Sequence, residues 1–333
     1  MRYLDRWSEQ KLGLAPGSLT RQALDRWQLH RLRQTAAYAR DRSPFYRELL
    51  AGESFDDFAG FSRLPFTLPG DLSARGADMV CVPQSRISRI VTQETGGSSG
   101  APKRVYFTGE DQELTVDYFA NGMQYLLGPQ DRLLILMPYR RPGSVGDLLR
   151  RGVERIGAEV YCLGLIGEEL SYNTILDVLY DREITSLVGL PSQVHDLMKY
   201  TTKLHLDTVL LSAEYVSPRT VRDLEEAWGC RVFEHYGMTE MGLGCAVSCG
   251  AGRGYHIREP DLYIEIIDPA TGEVLRDGSW GEIVFTTLTR KGMPLIRYRT
   301  GDISRILAEP CPCGSLLHRL DRVRDRHLRK GWT

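Results

Sequence analysis

Between residues 133 and 234 short apolar runs alternate with amphipathic stretches. Leu133–Met137, Glu159–Leu163, Ser186–Gly189, Thr208–Leu211 and Arg231–Glu234 read as buried strands. Val145–Ile156, Tyr172–Asp181, Ser192–Tyr200 and Pro218–Trp228 lie between them and carry apolar residues at helical spacing. Strands that alternate with helices imply βαβ units and a largely parallel sheet, covered on both faces. This pattern constrains the fold more than any other feature, and it predicts an α/β class.

The flanking segments differ. Residues 1–80 read as mostly helical, with Leu24, Trp27, Leu32 and Ala36 recurring among polar residues. Ser43-Pro44 ends that run or caps a short helix, and Asp71 is a candidate N-cap after Leu68-Pro69-Gly70. Beyond residue 255, Tyr263–Ile267 and Glu282–Leu288 are separated by turn residues, which suggests antiparallel strands. The expected organisation is a helical part over 1–80, an α/β nucleotide-binding core over 81–255, and a β-rich subdomain over 256–333.

Composition excludes several classes. With 42 basic and 43 acidic residues the net charge is −1, which argues against a dedicated nucleic-acid binder. No apolar run approaches the ~20 residues of a membrane span. The N-terminus MRYLDRWSEQKLGL has no apolar signal core, and seven cysteines make a disulfide framework improbable, so a cytoplasmic setting is expected.

Three segments carry chemistry. In Glu94-Thr95-Gly96-Gly97-Ser98-Ser99-Gly100-Ala101-Pro102-Lys103 the glycines let backbone N–H groups turn toward an anion, and hydroxyls and a lysine add donors. The spacing is not that of a Walker A loop, and a plain Gly/Ser turn looks similar in isolation. Glu234-His235-Tyr236-Gly237-Met238-Thr239-Glu240 stands at the carboxyl end of an expected strand, where open α/β sheets bind ligands. Its aromatic suits a flat base, and Glu240 offers a hard oxygen for Mg²⁺. In Ile296-Arg297-Tyr298-Arg299-Thr300-Gly301-Asp302 an aspartate follows what reads as a turn glycine, and its carboxylate is a ready acceptor for ribose hydroxyls.

Together these segments resemble the adenylate-forming superfamily, and within it the phenylacetate–CoA ligase-like branch. Ser43-Pro44-Phe45-Tyr46-Arg47, Leu64-Pro65-Phe66-Thr67, Ser212-Ala213-Glu214 and Pro294–Asp302 extend the resemblance over nearly the whole chain. It implies ATP-dependent adenylation of a carboxylic acid, aryl or arylacetic by likeness, with release of pyrophosphate. Thr239, Glu240 and Lys103 are then the catalytic candidates. Thr95, Gly96, Gly97, Ser98, Ser99 and Gly100 would hold phosphates. Ser212, Ala213, Glu214, His235, Tyr236, Gly237, Met238, Asp302 and Arg326 would contact the nucleotide. Tyr139 and Arg141, which follow the strand run ending at Met137, are the substrate candidates, with His235 and Gly242-Leu243-Gly244 as others.

The resemblance also implies a C-terminal lid domain that the sequence, ending at Gly331-Trp332-Thr333, does not contain; the hinge segment is altered at Asp325 and Leu328. The acyl acceptor is therefore open, and a lid protein acting in trans or a non-catalytic acid- or nucleotide-binding module are alternative expectations. Finally, Cys249, His256, Cys311 and Cys313 could close a tetrahedral Zn²⁺ site, with Cys245 as a competing ligand. The resemblance makes such a zinc structural. Cys81, Cys162 and Cys230 read as core.

Overall fold

A computed structural model describes residues 2–93, 102–167, 170–201 and 203–324. Among these, the strands form three sheets. The first is an antiparallel hairpin of β1 (Ile87–Gln93) and β2 (Lys103–Thr108). The central sheet begins with five mutually parallel strands: β3 (Arg132–Ile135), β4 (Glu159–Cys162), β5 (Ser186–Gly189), β6 (Thr208–Leu211) and β7 (Arg231–Tyr236). It continues antiparallel through β8 (Ala246–Val247), β9 (Tyr255–Ile257) and, after an excursion, β13 (Arg319–Leu320). The excursion holds the third sheet, β10 (Leu262–Ile267), β11 (Gly281–Thr287) and β12 (Tyr298–Ser304), all antiparallel.

The central order is β13-β9-β8-β7-β6-β5-β3-β4. Connections leave β3 in both directions, toward β4 and then back to β5. That reversal opens a crevice at the carboxyl ends of the strands. Side-chain alternation assigns the faces. Leu133, Ile135 and Leu210 enter one apolar cluster with Leu148, Leu149 and Val153 of the helix Val145–Glu154. Leu134, Val209 and Leu211 enter another with Ile175, Leu179, Leu224 and Trp228.

Local signals fix the ends of several helices. Ser217 accepts a hydrogen bond from the Thr220 N–H, and left-handed Gly229 closes the helix Pro218–Trp228. Ser43 caps Pro44–Leu49, with Pro44 at its start. Asp71 is not the N-cap: Leu68 holds that position, and the Asp71 carboxylate reaches back to the Leu68 N–H at 2.8 Å. The helical stretch over residues 2–50 comprises three helices, Tyr3–Leu12, Arg21–Arg42 and Pro44–Leu49. Among the described residues no helix is long and apolar enough to cross a membrane.

Candidate active site

Strand β7 organises the site, because its successive side chains alternate between faces. Phe233 and His235 point to the apolar side, Glu234 lines a polar cleft, and Tyr236 packs beside another apolar cluster with its hydroxyl on Asp302. Beyond Tyr236 the chain turns through Gly237 into the short 3₁₀ helix Thr239–Met241. A Cβ at Gly237 would sit 2.3 Å from the Leu243 carbonyl oxygen, so this turn admits only glycine.

Thr239 and Glu240 are gripped by the hairpin. Gln93 Nε2 donates to Thr239 Oγ1 at 2.7 Å, and Lys103 Nζ reaches Glu240 Oε1 at 2.5 Å. These are the residues that end β1 and begin β2. Both arms of the hairpin are thus tied to the Thr-Glu pair. Tyr298 Oη also donates to Glu240 Oε1, at 3.3 Å. Glu240 is 1% exposed, and its Oε2 has no hydrogen-bond partner among the described residues. A buried carboxylate oxygen left without a donor fits a hard divalent cation such as Mg²⁺.

Asp302 lies on β12, not in a turn as the sequence suggests. A bulge there, with Gly301 at φ +71° and its N–H on Glu282 Oε1, re-aims the strand. Asp302 Oδ2 accepts from Tyr236 Oη at 2.9 Å. The expected adenine and ribose contacts are thereby joined. Ser212 Oγ meets His235 Nδ1 at 2.9 Å. Ala213 adopts φ +72°, strained for an alanine, and Glu214 turns away to take the N–H and hydroxyl of Ser192 at 3.0 Å each, at the start of the helix Pro191–Leu197. Met238 is the N-cap residue of the 3₁₀ turn. Thr95, Gly96, Gly97, Ser98, Ser99, Gly100 and Arg326 lie outside the described residues.

Two cavities meet at β7. On the apolar side a slot of about 30 Å³ is lined by Phe119, Met123, Met137, Leu149, Val188 and His235, among others. Neither Tyr139 nor Arg141 is among its lining residues. Arg141 is exposed, because the chain leaves β3 through a turn at Gly143 (φ +75°) and Gly146 packs against the Pro138 carbonyl. On the polar side, a cleft of about 680 Å³ is lined by Tyr215, Glu234, Tyr255, Trp280, Arg322 and Arg324, among others. Glu234 holds Arg322 through both of its oxygens and accepts from Tyr255 Oη at 2.9 Å. Sequence reasoning missed Gln93, Tyr298 and Arg322. Gln93 stands directly before the glycine-rich motif and Tyr298 inside the third motif, so proximity was the available signal.

The thiol cluster forms as well. The ligand atoms of Cys249, His256, Cys311 and Cys313 lie within 4.8 Å of one another. Cys249 Sγ is 3.6 Å from Cys311 Sγ, and Cys313 Sγ is 3.3 Å from His256 Nε2. Four ligands about 2.3 Å from one ion would be separated by roughly 3.8 Å, so the donor set fits zinc. A disulfide is far shorter, about 2.05 Å. Burial lifts the Cys313 thiol to about 12, and its neighbouring sulfurs add to the rise. Cys245 belongs elsewhere, buried with its backbone paired to Tyr236 and Arg258.

An open, mostly parallel α/β sheet with a tethered glycine-rich hairpin and a Thr-Glu turn at its carboxyl ends defines a ligand-binding α/β enzyme. Residues 30–288 match the AMP-binding enzyme family. The chain is 30% identical to phenylacetate–coenzyme A ligase of Thermus thermophilus, over 93% of this chain and 72% of that protein. It is 29% identical to phenylacetate–coenzyme A ligase of Escherichia coli K12, over 90% and 70%. A solved 2-hydroxyisobutyryl-CoA ligase, in an open conformation with 2-HIB-AMP and CoA, superposes with a TM-score of 0.80 at 24% identity, over 93% of this chain and 78% of that one. The chain belongs to the AMP-binding enzyme family, the adenylate-forming acid–CoA ligases.

Proposed function

We propose that this chain condenses a carboxylic acid with ATP to give acyl-AMP and pyrophosphate. The observation that carries this reading is Glu240, a buried carboxylate with one oxygen held by Lys103 and Tyr298 and the other unpartnered among the described residues, as a cation ligand would be. The acid's carboxylate is already ionised near neutral pH, so no general base is required. Its oxygen attacks the α-phosphorus in line. The bond from that phosphorus to the bridging oxygen breaks, and pyrophosphate departs. What remains for the protein is positioning and charge neutralisation. In this reading Thr239 offers its hydroxyl to the α-phosphate, Lys103 and residues 95–100 are the candidates to hold the β- and γ-phosphates, Tyr236 flanks adenine, and Asp302 takes the ribose. Glu240 would hold Mg²⁺, which when bound supplies positive charge beside the phosphates. Arg326 is a further nucleotide candidate.

The relatives' names favour an aryl or arylacetic acid, and a thiol such as CoA as acceptor. The test is acid-dependent exchange of labelled pyrophosphate into ATP with Mg²⁺, across a panel of aryl and arylacetic acids, followed by addition of CoA. Exchange with at least one acid is expected. Silence across the panel, together with no calorimetric binding of Mg-ATP at millimolar concentration, would overturn the reading.

The cluster of Cys249, His256, Cys311 and Cys313 is proposed as a structural zinc site. It ties the loop after β8 to the segment before β13, and the N-terminal helix Tyr3–Leu12 leans on the same turn through Asp5, whose carboxylate accepts the Leu316 N–H at 2.9 Å. Elemental analysis of protein purified without chelator should find about one zinc per chain. Metal-free protein with an unchanged melting temperature would remove the assignment.

A further inference from the structure

The slot on the apolar side of β7 contains an atom that an apolar slot does not need. His235 Nε2 is closed to solvent and has no hydrogen-bond partner among the described residues. Such a group costs roughly 1–3 kcal/mol relative to a satisfied one. The same position could have carried an aliphatic side chain, which would pack against Phe119, Met123 and Val247 at no such cost. The ring is held in place. Ser212 Oγ pins Nδ1 at 2.9 Å, and the Phe119 ring meets it edge-on with centroids 6.1 Å apart. Nε2 is therefore presented in a fixed direction. Tyr118, another lining residue, also has a hydroxyl without a partner among the described residues.

The chemistry of this nitrogen is restricted. Burial pushes the imidazole down to about 4, so it is neutral near pH 7 and offers no charge to a second carboxylate. Two tautomers are available. With Ser212 donating to Nδ1, Nε2 carries the hydrogen and asks for an acceptor; with Nδ1 donating, Nε2 is bare and asks for a donor. A hydroxyl satisfies both. The space, about 30 Å³, is enough for one small polar group and too little for a ring.

We propose that His235 is a specificity-determining residue, and that the acid activated here carries one uncharged hydroxyl on its apolar tail, which hydrogen-bonds to His235 Nε2. Ser212 acts as a positioning residue through Nδ1. This inference rests on the adenylation reading above and adds to it the class of acid.

The experiment uses matched acids: arylacetic acids bearing a hydroxyl at the ortho, meta or para position, and the same acids with methyl in its place. Pyrophosphate exchange is measured for the wild type and for His235→Leu, His235→Gln and Ser212→Ala. The wild type should favour one hydroxy acid over its methyl partner by on the order of 10-fold or more in kcat/KM, because a site built around a hydroxyl leaves its own polar atom unpaired with the analogue. His235→Leu should bring that ratio to about one or invert it, His235→Gln should restore part of it, and Ser212→Ala should fall between. Equal rates for every matched pair, as expected if Nε2 merely takes a water, would overturn the proposal, as would a ratio that His235→Leu leaves unchanged. Silence with all acids counts against the adenylation reading instead. In that case ¹⁵N-histidine NMR of the wild type decides: a shift of His235 Nε2 with a hydroxy acid and not its methyl partner sustains the proposal, and no shift with any acid ends it.

Discussion

The two faces of β7 are built on opposite terms although they share one backbone. On the apolar face, Phe233 is fully buried among aliphatic side chains and His235 is stripped of charge. On the other face, Glu234 pairs with Arg322 at the polar cleft, and Tyr236, beside a second apolar cluster, meets Asp302 through its hydroxyl. Both faces lead to the same turn, where Thr239 and Glu240 stand. The difference teaches how a single strand can serve a two-substrate reaction. On the function proposed above, alternation would put an organic tail and a nucleotide on opposite sides, with their reacting ends converging where the strand stops.

Truncating the apolar face should have the largest effect on stability. Phe233→Ala removes a fully buried ring against which Gly250 packs closely, and should cost about 3–5 kcal/mol in urea unfolding. A cost under about 1 kcal/mol would mean that this face is not the packed one. At the junction of the two faces, Glu240→Gln should lower acid-dependent exchange on the order of 10²–10³-fold, the scale of losing one charge-stabilising group. The melting temperature should be read alongside, since Lys103 loses its partner in the same substitution.

The charge difference between the faces is also open to titration. The His235 imidazole is depressed from 6.5 to about 4 in the folded chain. The unfolded chain therefore binds this proton first. The stability contributed by keeping the ring neutral is complete above about pH 6.5 and is lost as the pH falls toward 4. A shift of that size corresponds to roughly 3 kcal/mol at the acid end. His256 moves in the same direction, so the measurement is a difference between the wild type and His235→Leu. The wild-type curve should fall away from that of His235→Leu as the pH drops from 6.5 to 4. Parallel curves would show that the ring is charged or solvated in the folded state.

Much of this arrangement could be read from the chain, and the boundary is physical. The parallel strands were legible because each is a short apolar run flanked by local stop signals, such as Ser217 and Gly229 around one crossover helix. The thiol cluster was legible from residue type, although its four donors span more than sixty positions. Strand β12 was not, because the bulge at Gly301 depends on Glu282 of β11, and Thr300-Gly301-Asp302 alone looks like a turn. Strands β8, β9 and β13 are two or three residues long and exist only through pairing with distant partners. Arg141's exposure was not legible for a similar reason: it depends on the turn at Gly143, which keeps it out of the slot's lining. His235 was legible as part of a motif. Its side of the strand was not, because that depends on where β7 ends.

The smallest effect belongs to the polar face and tests the comparison most finely. Glu234→Gln preserves shape and leaves an amide oxygen for Tyr255 while removing the charge opposite Arg322. The pair is only partly buried, at 12% and 28% side-chain exposure, so screening by water limits its worth. Urea unfolding should register about 1 kcal/mol or less, and the loss should shrink further as salt is raised. A loss comparable to that of Phe233→Ala, insensitive to salt, would place Glu234 in a dry interior. The cleft would then be closed on both sides of β7, leaving no polar face to receive a nucleotide.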